Sequence, residues 1–425
     1  MIRLAPLAML SVAAAAFGQS PLRLTLAEAE QIALKNHPAI SAAEFNALAM
    51  KERIAETEAA RHPFVTANLT GAGAPENTRI AAGAINNPVI YSRLASGFSI
   101  NQLLLDFGRT SKLIQTSKFS SQAEEERTKV ARADTLLNVQ RAYFAALRSK
   151  TLVDIAKYTI EARQLMVDQV SALVKAQLKS SLDLSFANTN LAEAKLLLAT
   201  AENEQRAAHA QLSEALGYSA TQEFELVEVP MPNVEPLSIT DLTQRALRER
   251  PEAAAARLDT ESTRSFAAAE TSLKYPTVTA TAAAGYIPSG VQSLANDYAA
   301  IGLNISLPFL NGGLYKARQN EAEFRARAAE RRTRQIENAI AREVAVALLD
   351  VNTAGERMTL TKQFIDHASQ ALELAQARYD LGLSSIVELS QAQLVKTNAE
   401  IQFASARYDY QTRRAILFHR AGMTK

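Results

Sequence analysis

Two short spacings in this 425-residue sequence bring a hydroxyl and a carboxylate within reach of each other: Ser180-x-x-Asp183 and Ser385-x-x-Glu388. The chemistry open to them is helix capping. A serine oxygen accepts a backbone N–H at the start of a helix, and an acid three residues on reaches back while complementing the helix dipole. No pattern supports catalysis. The five histidines, His37, His62, His209, His367 and His419, show no ligand spacing. There is no phosphate loop, nucleophile elbow or His-Glu-x-x-His run. Without cysteine there is no disulfide framework, thiolate metal site, cysteine nucleophile or lipidated N-terminal cysteine. No catalytic residue, cofactor or metal is therefore expected. Two basic stretches, Lys112, Lys118, Arg127, Lys129 and Arg132, then Arg325, Arg327, Arg331, Arg332 and Arg334, are interspersed with glutamate. They read first as solvated helix faces and second as contacts for anionic head groups.

The bulk composition narrows the class of protein. A net charge of +2, from 46 Lys+Arg against 44 Asp+Glu, argues against a nucleic-acid partner, which calls for a basic excess. Hydrophobic residues make up 48%, but aromatics only 6% and tryptophan is absent. Alanine fills the difference, and with Glu, Arg, Gln and Leu it favours long helices. At the start, Arg3, the apolar stretch Leu4 to Phe17 and the small-x-small site Ala16-Phe17-Gly18 read as a secretory signal over 1–18, cleaved near Gln19. Nowhere later does an apolar run reach the ~18 residues of a spanning helix. An exported chain of this kind is either soluble or held in a membrane by strands.

The elements that must position the two serine–acid spacings emerge when the chain is compared with itself. The segment from Leu24 to Pro38 aligns with Leu237 to Pro251, and the same offset pairs Pro63 with Pro276. After a shorter loop in the second copy, a new offset pairs Gly97 with Gly302, Asp106 with Asn311, Asp183 with Glu388 and Gly217 with Gly422. Two repeats, 19–217 and 237–425, are joined by a linker at 218–236 that holds Pro230, Pro232 and Pro236. In each repeat a short helix (about 25–36, 238–249) runs to a proline, and a second helix (about 38–61, 251–274) runs to the next. Period-two alternation follows at about 64–70 and 94–103, and again at about 277–285 and 298–307, giving hairpins with one apolar and one polar face. A proline-free helix then spans about 108–176 or 313–381, which at 1.5 Å per residue is ~100 Å. Tips at about 177–180 and 382–385 start the return helices, which stop at Gly217 and Gly422. Seams with 3-4 spacing, Leu152-Ile155-Thr159-Ala162-Met166 and Ile401-Ala404-Tyr408-Gln411-Ala415-Phe418, predict coiled-coil contact between helices.

Four strands cannot close a membrane barrel, which needs about eight and tolerates no open edge in lipid. The strands must be pooled, and under ring symmetry two chains would give eight and three would give twelve. In a soluble alternative the apolar faces would pack together as a small sandwich. Tyr91, Tyr275, Tyr286, Tyr298, Phe64, Phe98, Phe107 and Phe309 flank or end the strands and could form an aromatic girdle, although no tryptophan contributes.

The signal peptide, the doubled unit, the opening Leu-x-Leu-x-x-Ala-x-x-x-Ala-Leu-x-x-x-Pro, the strand-to-helix Leu105-Asp106-Phe107-Gly108 and the turn Arg378-Tyr379-x-x-Gly382-x-x-Ser385-x-x-Glu388 together resemble the TolC family of outer membrane efflux proteins. The resemblance covers essentially the whole mature chain. It implies a mainly α protein with a small β part: long antiparallel coiled-coil helices forming a periplasmic α-barrel, and four strands per chain entering a shared 12-stranded transmembrane β-barrel in a homotrimer. It implies an outer membrane exit duct that takes substrate from a periplasmic adaptor and an inner-membrane pump. The rival class is a soluble periplasmic adaptor or scaffold. By the motif match, Tyr379 and Asp183 correspond to a constricting network at the tip, and Glu388 to an acid facing the lumen, where three copies would form a carboxylate ring. Ser384 stands where the family's gate has an arginine and Gln391 where it has a second acid. Gly382, Leu383 and Ser384 are expected to meet the adaptor more strongly than Gln177 and Leu178, because glycine takes positive φ at such a turn without strain.

Overall fold

Proline and hydroxyl caps set the helix boundaries of this computed structural model, which describes residues 22–73, 75, 93–231, 237–288 and 295–423. The expected signal peptide at 1–18, its cleavage site near Gln19, Tyr91, Pro232 and Pro236 lie outside the described residues. A three-residue strand β1 (Leu22–Leu24) precedes α1 (Leu26–Asn36), which opens on a complete capping box formed by Thr25 and Glu28. His37 is extended, as the residue before a proline must be, and α2 (Pro38–Ala59) follows at once. The order then runs β2 (Phe64–Ala72), β3 (Arg93–Leu105), α3 (Arg109–Lys175), α4 (Ser181–Ala215) and β4 (Phe224–Leu226). The second repeat lays down α5 (Ile239–Glu249), α6 (Pro251–Thr271), β5 (Thr277–Tyr286), β6 (Asp297–Ser306), α7 (Leu314–Asp380) and α8 (Ile386–Arg420). Both long helices have 67 residues. Among the described residues no helix is long and apolar enough to cross a membrane.

The chain divides into two compact units. The first comprises the described residues within 1–37, 135–235 and 351–415. Its core gathers Leu24, Ala29 and Ala33 with Val139, Tyr143, Phe144 and Leu147 of α3, Leu212 of α4, Phe224 and Leu226 of β4, and Tyr408 of α8. β1 and β4 pair in parallel inside this core, a two-stranded sheet that the sequence did not announce, because three residues are too few to display a period of two. Tyr143 holds the sheet: its hydroxyl lies 2.8 Å from the Leu24 carbonyl and 2.7 Å from that of Val227. Just beyond β4, Glu228 accepts the Tyr408 hydroxyl at 2.6 Å and an Arg407 N–H at 2.9 Å. Burial and this carboxylate push the Tyr408 phenol up to about 12, so it stays a neutral donor at any physiological pH. The expected linker is therefore pinned to the helices.

The second unit comprises the described residues within 38–134, 236–350 and 416–425. Its sheet has the order β2-β3-β5-β6, antiparallel throughout. The register sorts the side chains by parity. Val65, Ile100, Ala282 and Ile301 form one row across all four strands, and Phe98, Leu303 and Ile305 lie on the same face. Thr66, Ser99, Thr279, Thr281, Asn304 and Ser306 lie on the other, where the Thr66 and Ser99 hydroxyls are 2.7 Å apart. The apolar face is open, with Ile301 87% exposed. β2 and β6 each pair on one side only among the described residues.

Small residues let the helices of this unit approach closely. Ala253, Ala256, Ala267 and Ala269 of α6 are buried, and hydroxyl pairs bridge neighbours: Ser262 to Ser120 at 2.8 Å and Thr260 to Thr333 at 2.9 Å. The first basic stretch is largely spent on ion pairs, including Arg127–Asp259, Lys129–Glu126 and Arg132–Glu44, which fits a solvated helix face. A charged cluster surrounds the buried Arg250. Arg250, 4% exposed between α5 and α6, reaches Glu252 at 2.7 Å and Glu343 at 2.9 Å. Arg420 also meets Glu343, at 3.1 Å, and buried His419 meets Asp134 at 3.0 Å.

Candidate functional site

The tips fold alike despite different sequences. At the end of α3 the Leu178 N–H bonds the Leu173 carbonyl at 2.9 Å and the Gln177 N–H bonds that of Val174 at 2.9 Å. At the end of α7 the Leu383 N–H bonds the Arg378 carbonyl at 2.8 Å and the Gly382 N–H bonds that of Tyr379 at 3.0 Å. Both are Schellman closures, which need one residue in the left-handed region. Gly382 has φ 73° and Gln177 has φ 62°. Glycine is free to sit there, whereas a residue with a Cβ is strained by about 1 kcal/mol. Gln177 thus takes the strained geometry, and the two turns share one backbone while differing in side chains. Gln177→Gly is expected to slow amide exchange at Leu178 by about 3-fold or more, the exchange equivalent of that strain. Unchanged protection there would refute the strain.

The two serine–acid spacings do not behave alike. Ser180 caps α4 with both halves of a capping box, its side chain accepting the Leu182 N–H at 3.1 Å while Asp183 accepts the Ser180 N–H at 3.1 Å. Ser385 accepts the Glu388 N–H at 3.4 Å, but the Glu388 carboxylate turns to Arg378, whose Nε lies 3.2 Å away. Asp183 is thus occupied by its own helix, and Glu388 by an ion pair that links the end of α7 to the start of α8.

Tyr379 stands between them. It is 5% exposed and belongs to a tip core with Met166 and Val170 of α3, Ala187 of α4, Ala375 of α7 and Ile386 and Leu389 of α8. Its hydroxyl is buried without a hydrogen-bond partner among the described residues, and so is that of Ser384. Burial, and then the charges of Asp183 and Asp380, raise the Tyr379 phenol above its ordinary range. The ammonium of Lys179 lies 4.4 Å from the centre of its ring. Asn190 of α4 donates to the Ser390 hydroxyl of α8 at 2.8 Å, tying the two return helices together.

The tip surface is apolar. Leu178 is 70% and Leu383 67% exposed, and Leu182, Leu381 and Val387 are exposed beside them. Of the residues singled out from the sequence, Tyr379 is core, Asp183 and Glu388 are at helix starts, and Gly382, Leu383, Gln177 and Leu178 form the exposed turns. Sequence reasoning quoted Arg378 in the turn motif without a role for it and did not single out Lys179. The signal for Lys179 was present, since the repeat alignment sets it opposite Ser384. Among the described residues no group of three or more His, Asp or Glu could hold a metal ion.

The sequence model of the family described as outer membrane efflux protein matches residues 30–218 and 242–422, one stretch in each repeat. The outer membrane protein TolC of Salmonella enteritidis is 22% identical over 339 residues, spanning 75% of this chain and 68% of that protein. The toluene efflux pump outer membrane protein TtgI of Pseudomonas putida is 24% identical over 323 residues, spanning 72% of this chain and 67% of that one. Among solved structures, a membrane protein from Pseudomonas aeruginosa superposes with a TM-score of 0.81 at 22% identity, covering 93% of each chain. The open state of the Neisseria gonorrhoeae MtrE outer membrane channel superposes with a TM-score of 0.76 at 19% identity, covering 93% of this chain and 88% of that one.

Proposed function

The chain belongs to the outer membrane efflux protein family, and from that premise we propose that it is the exit channel of an efflux system. In this reading it is a passive duct through the outer membrane, filled from a periplasmic adaptor and an inner-membrane pump, and it catalyses no reaction. The observation that carries the reading is the four-stranded sheet: apolar on one open face, polar on the other, and unpaired at both edges among the described residues. Lipid suits the first face, an aqueous lumen the second, and copies of the same sheet the edges. Three copies would close a barrel of twelve strands. The signal over 1–18 would direct export. Outer-membrane fractionation with a heat-modifiable trimer on gels tests this directly, and release by osmotic shock would favour a soluble scaffold instead.

The tips are the proposed gate and docking surface. Exposed Leu178 and Leu383 offer an apolar contact to an adaptor helix hairpin, with Gly382, Ser384 and Gln177 beside them. The tip core around Tyr379, together with Asp183, would hold the helices in the constricted arrangement. Three copies of Glu388 would form a carboxylate ring, but each arrives with Arg378 of its own chain. In planar bilayers Glu388→Ala is therefore expected to reduce cation preference, and Arg378→Ala to increase it. Equal, unchanged selectivity in both variants would remove Glu388 from the lumen.

A further inference from the structure

The repeat alignment sets the tip Gln177-Leu178-Lys179-Ser180 against Gly382-Leu383-Ser384-Ser385, and the two differ in charge at one position, Lys179 against Ser384. Lys179 reaches toward the other repeat's tip. It is partly buried, and its ammonium lies 4.4 Å from the ring centre of Tyr379, on the other repeat's tip. That distance is within cation–π range. Tyr379 cannot turn away, because it is packed among Val170, Ala375, Ile386 and Leu389. Nor does its hydroxyl have a hydrogen-bond partner among the described residues. Lys179 therefore places a cation on the Tyr379 ring.

We propose that Lys179 is the clasp between the two tips of one protomer: its ammonium, seated on the ring of Tyr379, holds the α3–α4 turn against the α7–α8 turn and keeps the channel's resting tip narrow. Lys179 is a positioning residue in this scheme, acting through Tyr379. A contact of this kind at a partly exposed site biases an equilibrium by about two- to five-fold. Three copies in a ring would compound that bias. The placement also uses the repeat economically, since one turn supplies the cation and the other the aromatic face, and an asymmetric pair can interlock where two identical turns could not.

The inference rests on the gate reading of the tip, and the test separates the two. The purified full-length mature protein is inserted into planar bilayers, and single-channel conductance is compared for Lys179→Met, Lys179→Arg, Tyr379→Leu, the Lys179→Met/Tyr379→Leu double variant and Asp183→Ala. Each is used only if it runs as a heat-modifiable trimer on gels. Lys179→Met is expected to raise open-tip occupancy by at least two-fold per protomer, and Lys179→Arg, which keeps a cation over the ring, to restore wild-type behaviour. Lys179→Met should add nothing once Tyr379→Leu has removed the ring. If Lys179→Met has the same effect with and without Tyr379, or none while Asp183→Ala opens the tip, the clasp is wrong and the gate stands. If no variant changes conductance, both fall.

Discussion

Replacing Arg250 by methionine is expected to lower the unfolding free energy of its unit by about 3 kcal/mol at neutral pH, the cost of removing one partner from a buried ion cluster. The guanidinium is 4% exposed and grips Glu252 through two nitrogens, Nη2 at 2.7 Å and Nε at 3.3 Å, while Nη1 reaches Glu343 at 2.9 Å. A lysine at this position keeps the charge and loses the fork, so Arg250→Lys should recover less than half of the loss. The pH dependence follows from the neighbours. Burial opposes the charge on Glu252, but Arg250 outweighs it and holds the carboxyl below its ordinary range. The hydrogen bond from His419 does the same for Asp134. Folded values below the unfolded ones mean that this stabilisation is complete above the unfolded carboxylate pKa of about 4 and is lost as pH falls through the folded values. The difference between wild type and Arg250→Met should therefore narrow on acidification below about pH 4. Urea midpoints followed by far-ultraviolet circular dichroism at neutral and acid pH measure both effects. A difference below about 1 kcal/mol at neutral pH would mean that water screens the cluster.

The second large effect belongs to the sheet. Ile301 sits midway along β6 on the open apolar face. An arginine at the midplane of a lipid-facing strand costs about 2–4 kcal/mol. Ile301→Arg should therefore sharply reduce the amount of heat-modifiable trimer recovered from outer membranes. Asn304, three residues on, lies on the polar face across from Thr279, so Asn304→Arg should assemble normally and alter conductance instead. Normal assembly of Ile301→Arg would place that face away from lipid.

How much of this was readable beforehand depended on the kind of signal. Parity along the strands was legible because a strand has two faces and the residues alternate between them: Phe98 and Ile100 share one, Ser99 and Asn101 the other. The capping of α4 by Ser180 and Asp183 was legible because the box is local. The seams were read less well. In α8 the seam residues Ala404, Tyr408 and Gln411 are buried. In α3 the buried line is Val153, Ala156, Arg163, Met166 and Val170, while the expected seam residue Ala162 is exposed. A helix rich in alanine and leucine has apolar residues on several sides, so spacing alone does not say which side turns inward. The β1–β4 pairing and the grip of Glu228 on Tyr408 join residues about 200 and 180 positions apart, and nothing local marks them. Arg250 looked like any residue before a proline, because what makes it matter is Glu343, brought in from a distant helix.

The two unpaired strands at the sheet's edges have a consequence for how this protein can be measured at all. In the proposed barrel, the N–H and C=O groups on the sides of β2 and β6 that have no strand partner among the described residues would pair with other copies, so one chain would hold only part of the folding free energy in itself. The rest would be mass action, so a melting temperature for such an assembly would have meaning only at a stated protomer concentration. The interval between synthesis and pairing is also the period in which those edges can template the wrong neighbour, and a proteolytic assay begun before assembly would read that race rather than the strength of the fold.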